Sequence, residues 1–161
     1  MLNLKTAGIA LALALSPLSF AQAHDIKLGE VSISNAWTRA TPPKAKAGGG
    51  FLTITNGGSQ AVVLKSAASD VAKRTEIHEM AVTDGIMKMR EMKDGLSIAP
   101  GETLELKPGG YHVMFMGIHE AFTEGETVSV TLMFEPGGPV DVQMPVHKMG
   151  VKSAMKHHST H

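Results

Sequence analysis

The sequence contains no cysteine. That excludes disulfides, zinc–thiolate sites, thiol catalysis and any copper centre built on a cysteine sulfur. Aromatic residues make up only 4% of it, so a core must draw its bulk from aliphatic side chains and methionine. Neither sign of charge is in excess, with 15 Lys and Arg against 15 Asp and Glu. A neutral chain has no general electrostatic claim on nucleic acid or on an anionic membrane. After the first 15 residues there is no apolar run long enough to cross a bilayer as a helix. Hydrophobic residues nevertheless reach 43% and the chain has 161 residues, which suits one folded domain and excludes a disordered polymer. What the sequence has in abundance is Met, with 11, and His, with 8.

The N-terminus reads as a secretory signal. Lys5 supplies a positive start, residues 7–15 form a short apolar run, Pro17 breaks it, and Ala21-Gln22-Ala23 is the small-x-small pattern a signal peptidase cuts. Residues 1–23 are therefore expected to be removed, giving a mature chain that begins at His24. The product is expected outside the cytoplasm, in the periplasm, with no integral membrane segment, as a monomer that relies on its core rather than on disulfides.

Short apolar segments separated by Gly and Pro occupy residues 24–146. The expected strands are 29–38, 50–55, 60–67, 74–81, 85–92, 102–106, 111–117, 126–135 and 139–146, with TPPKAKAGGG, TNGGS, TDG, KPGG and EPGGP between them as turns. Alternation at Val31-Ile33 and Val128-Val130-Leu132 suits sheets with one buried face. No long stretch has a helical apolar period. The expectation is an all-β Greek-key sandwich or barrel. From His147 the pattern fails, and residues 147–161 read as a mobile, basic, His- and Met-rich tail.

Two windows hold half of the mature chain's His and Met: His78, Met80, Met87, Met89 and Met92 in one, and His112, Met114, Met116 and His119 in the other. Alternate residues of a strand share a face, so His112 pairs with Met114, His78 with Met80, and Met87 with Met89. A hairpin through Thr83-Asp84-Gly85 would set His78 nearly opposite Met89. If strand 111–117 lies beside it, His78, Met89, His112 and Met114 converge. Imidazole and thioether together favour Cu(I), because thioether sulfur is soft, uncharged and stable in an oxidising compartment. The competing explanation for any one Met is packing. Met133, inside an alternating strand, is assigned to the core, with Met116 a candidate for it too. His119 is assigned to the surface or to an ordinary hydrogen bond, and Glu79 to the face opposite His78.

These motifs resemble the PCuAC family of periplasmic copper chaperones. The likeness runs from about residue 29 to 149 and rests on AWTRATPPKAKAGGGFLTITNGG, on HEM followed by GIMKMREM, and on LKPGGYHVMFMG. Ten residues separate His78 from Met89, as in the family, and twenty-two separate Met89 from His112, one more than usual. The extra residue fits in the Lys93-Asp94-Gly95 or Pro100-Gly101 turn. The resemblance implies a cupredoxin-like β-sandwich binding one Cu(I) through His78, Met89, His112 and Met114. It also implies delivery to the copper-carrying subunit of cytochrome c oxidase, with a membrane-anchored thiol copper chaperone as collaborator. A Cu(II) site on the tail, at His147, His157, His158 and His161, fits the same pattern, and His24 with its free amine is a further Cu(II) candidate. The alternative function is sequestration, which stores copper rather than transferring it. Electron transfer by a blue copper centre is excluded by the missing cysteine, and no nucleophile motif points to an enzyme.

Overall fold

The computed structural model describes residues 25–152, which form eleven strands and no helix. These are β1 (Ile26–Leu28), β2 (Val31–Arg39), β3 (Ala47–Asn56), β4 (Val62–Ala68), β5 (Ala72–Thr83), β6 (Ile86–Glu91), β7 (Leu96–Ile98), β8 (Thr103–Leu106), β9 (Tyr111–Ile118), β10 (Thr127–Glu135) and β11 (Gly138–His147). All nine expected strands are present. β1 and β7 were not anticipated: at three residues each they are too short to show alternation, and they exist because β2 and β4 offer them an edge.

Hydrogen bonding follows the order β6-β5-β9-β3-β2-β11-β10-β4-β7, with β1 added to β2 and β8 to β3. The two halves of this path face one another as a cupredoxin-like Greek-key sandwich. They are joined where β11 runs parallel to β2 over Val146–His147 alone. The core between them follows from alternation. Ile77, Val113, Phe115, Leu52 and Ile54 from one layer meet Leu64, Val130, Leu132, Val142 and Met144 from the other, each buried. Met133 falls on the outer surface of β10 at 39% exposure, so its assignment to the core is corrected: Val128, Val130 and Leu132 already claim the inward face. Met144 is the fully buried methionine.

Two further departures bear on the site. Gly48-Gly49-Gly50 is strand, not turn. It pairs with β9 from Gly48↔Phe115 to Gly50↔Val113, and the missing side chains admit the rings of Phe122, Phe51 and Phe115. β9 borders the first half of β3 and β8 the second, so the Lys107–Gly110 turn between them sits directly beside the start of β9. His147 belongs to β11 and stacks on Trp37, with ring centroids 5.4 Å apart. The segment after it is held where Arg39 donates from Nε and Nη2 to the Val151 carbonyl at 3.1 and 2.6 Å. Residues 1–23, His24, Met155, His157, His158 and His161 lie outside the described residues.

Candidate metal centre

β5 is the central strand of the site, with β6 on one edge and β9 on the other. Ile77 points into the core, so Glu76, His78, Met80 and Val82 point out from the opposite face. Across the β5–β9 ladder His78 is opposite His112 and Glu76 is opposite Met114. Across the β5–β6 ladder Met80 is opposite Met89 and Val82 opposite Met87. Paired residues share a face, so His78, Met89, His112 and Met114 all emerge on one side of the sheet. The expected opposition of His78 and Met89 is corrected. The turn is the two-residue Asp84-Gly85, with φ of 53° and 75° at its centre, and this register sets His78 opposite Glu91 and leaves Met89 diagonal to it.

Each imidazole is oriented by its own acceptor. The Nδ1–H of His112 donates to the Gly110 carbonyl at 3.0 Å, and the same carbonyl accepts the Met80 amide at 3.0 Å. The carbonyl of one turn residue thus ties β5, β9 and the ring together. The lone pair of His112 is then on Nε2. Burial pushes its pKa below the ordinary 6.5; the Gly110 bond opposes this and the nearby His78 adds to it. His78 is oriented from the other side: its Nε2–H donates to Glu76 Oε2 at 2.8 Å, which leaves Nδ1 as a buried nitrogen with no hydrogen-bond partner. Arg74 Nη1 lies 3.4 Å from the other oxygen of Glu76. The two rings stand edge to face with centroids 5.9 Å apart.

A cleft of ≈ 420 Å³ is lined by His112, Met80, Met89 and Met114 together with Arg39, Phe51, Pro108 and Gly109; His78, edge to face with His112, does not line it. Gly49, opposite Met114 on β3, contributes no side chain, and the Phe51 ring lies beside it. Among the described residues no three His, Asp or Glu gather in a way that holds an ion, so a cage of hard ligands is not formed. The donor set that does gather is two imidazoles and several thioethers. Glu79 faces away as expected, bound to Arg90 Nε at 2.7 Å and opposite Tyr111.

Two contributors were not named from sequence. Glu76, two residues before His78, was open to the same alternation argument that linked His78 to Met80. Met80 was recognised as sharing a face with His78 but not as part of the cleft. Other His and Met stand apart: His119 is exposed, Met149 is 60% exposed, and Met116 lies one pair beyond Met114, 3.6 Å from Arg74 Nη2.

Comparison with known proteins gives a consistent set of relatives. The family model for LpqE-like lipoproteins matches residues 31–146. Lipoprotein Lxx21020 of Leifsonia xyli subsp. xyli is 36% identical over 116 residues, covering 72% of this chain and 69% of the relative. Among solved structures, the apo PmoF2 PCuAC domain superposes with a TM-score of 0.67 at 21% identity, covering 81% of this chain and all of that one. Apo-DR1885 of Deinococcus radiodurans gives 0.59 at 28% identity, covering 90% and 97%. The same protein solved as its Cu(I) form gives 0.54, covering 82% and 85%. The fold bears out the PCuAC resemblance.

Proposed function

The chain belongs to the LpqE-like family and has the PCuAC fold, and from this premise we propose that it is an exported copper chaperone holding one Cu(I) ion between His78, Met89, His112 and Met114. The observation that carries the reading is the gathering on one sheet face of two directly opposed imidazoles, His78 and His112, each held through one ring nitrogen, beside the thioethers of Met89 and Met114. Copper is cargo here, and the ligands suit its reduced form. Imidazole and thioether are neutral and soft or borderline, and they satisfy Cu(I) without the carboxylates or thiolates that zinc prefers.

The same neutrality explains release. Two imidazoles and two thioethers leave the bound ion with its positive charge, which a pair of thiolates would neutralise. Transfer to a cysteine-bearing acceptor is therefore downhill, by exchange of one ligand at a time at an open cleft. The exposed Met89 is placed to leave first, while the buried His112 is tied to the Gly110 carbonyl. Cytochrome c oxidase, through its copper-carrying subunit, is the acceptor proposed, with a membrane-anchored thiol chaperone as collaborator. A periplasmic location fits the lipoprotein descriptions of the relatives. Among the described residues no helix is long and apolar enough to cross a membrane.

An anaerobic Cu(I) titration against a coloured chelator tests the site. The full chain should hold one tight equivalent, and the joint substitution His112→Ala and Met114→Ala should abolish it. Tight binding that survives in the variant places copper elsewhere, and no tight binding in the parent ends the chaperone reading. Cu(II) binding by the tail is tested separately by deleting residues 153–161, a cut that spares β11.

A further inference from the structure

β6 buries nothing. All six of its residues are exposed, Met87 at 65% and Met89 at 45%. Packing, the ordinary reason for methionine in a sandwich, accounts for neither. The hairpin also sorts its side chains by face. Met87, Met89 and Met80 share the face of His78, whereas Lys88 and Arg90, opposite Ala81 and Glu79, share the other. Between the turn and the His78–Glu91 pair the metal face thus carries Val82, Met87, Met80 and Met89, with Glu91 the one charged residue that β6 adds to this face.

We infer that Met80 and Met87 form an outer thioether site for Cu(I), with Met89 available to either this site or the inner one, so that an incoming ion is held at the hairpin before it reaches the histidines. The inference rests on the Cu(I) reading of the inner site. Met80 and Met89 are directly opposed, with Cβ atoms about 4.5–5.5 Å apart, and Met87 is diagonal to Met80 at about 7–8 Å, within reach of so long a side chain. Three flexible torsions let the sulfurs of Met80 and Met87 close on one ion. Movement inward then exchanges Met80 and Met87 for His78, His112 and Met114, with Met89 common to both sites. Only lone-pair donors exchange: copper stays Cu(I), and no electron or proton is transferred. Sulfur, unlike the aliphatic Val82 and Ile86 at the tip, gives the exposed hairpin a chemical function.

The test uses the full chain carrying 13C-methyl methionine, titrated with Ag(I) as a redox-inert stand-in for Cu(I). The first equivalent should shift the methyls of Met89 and Met114 and the ring signals of His78 and His112. Met80 lines the inner cleft and should respond to the first equivalent as well. Further Ag(I) should shift the Met87 methyl, and the Met80 methyl a second time, on one curve about tenfold or more weaker because the outer site lacks the imidazoles. Met87→Leu, at a position 65% exposed, should remove that second event. If Met114 and His112 respond while Met87 stays still through three equivalents, the outer site is overturned and the inner one stands. A later Met87 shift that Met80 does not share also overturns it. If neither histidine nor any methyl responds, the Cu(I) reading fails and takes this inference with it.

Discussion

His78 and His112 are directly opposed on neighbouring antiparallel strands, and each ring is fixed by an acceptor from its own strand or turn. The acceptors differ in kind: a carboxylate for His78, a backbone carbonyl for His112. Both hold the ring through one nitrogen and leave the other free to donate. A metal-ligating histidine needs this arrangement, because the proton on one nitrogen decides which atom carries the lone pair.

Glu76 should therefore act as a positioning residue. Replacing it with Ala removes the acceptor for the His78 Nε2–H and should weaken Cu(I) binding by about 10–100-fold. Glu76→Gln keeps an oxygen acceptor and should restore most of the affinity. Nitrogen NMR of the metal-free protein gives an independent readout: His78 should be protonated on Nε2 in the parent and lose that preference in the Ala variant. An unchanged chelator competition in Glu76→Ala would remove the carboxylate from the site.

Met114 separates ligation from packing. It is half-buried, and leucine replaces it with little change in volume, so Met114→Leu should cost less than about 1.5 kcal/mol of stability. Cu(I) affinity, by contrast, should fall by about tenfold or more, because the soft donor is gone. Thermal melting and chelator competition on the same preparation check both halves. A large drop in Tm with affinity intact would mark Met114 as a packing residue.

Much of this was legible in the sequence because strand alternation is a strict rule. The period-two pattern placed His112 with Met114 and sent Glu79 to the far side, and both placements hold in the structure. The register of the β5–β6 hairpin was not legible. A three-residue loop and a two-residue loop are both compatible with Thr83-Asp84-Gly85, and only the positive φ at both Asp84 and Gly85 selects the latter. Nor did the glycine run declare itself as strand, since its reason is the approach of phenylalanine rings from distant segments. The same long-range dependence hid the role of the Gly110 carbonyl.

Asn56 is a structural counterpart to the site. It is buried, and its side-chain amide donates to the carbonyls of Gln60 and Ile98 at 2.8 and 3.0 Å and accepts the Gly58 amide at 3.0 Å. It pins the turn after β3 to the end of β7. Asn56→Ala leaves these partners unsatisfied and should destabilise the fold by about 2–3 kcal/mol. Chemical denaturation should show it as a lower midpoint with an unchanged slope.

Gly50 and Gly49 make opposite cases on adjacent residues. A Cβ at Gly50 would stand 2.9 Å from Met144 Sδ and 3.1 Å from Phe115 Cε2, in the closed core. Gly50→Ala should therefore cost about 1–3 kcal/mol through overpacking, with Cu(I) affinity unchanged once the protein is folded. A Cβ at Gly49 would meet the edge of the Phe51 ring first, at 3.2 Å to Cζ, on the face that Met114 shares and in the lining of the cleft. Gly49→Ala should melt nearer the parent than Gly50→Ala, yet slow the loss of copper to a thiol acceptor by narrowing the path that an incoming ligand must take. Paired melting curves and stopped-flow transfer rates check the two variants. Equal transfer rates in the parent and Gly49→Ala would mean that the acceptor approaches from the hairpin side, past Met87, rather than across β3.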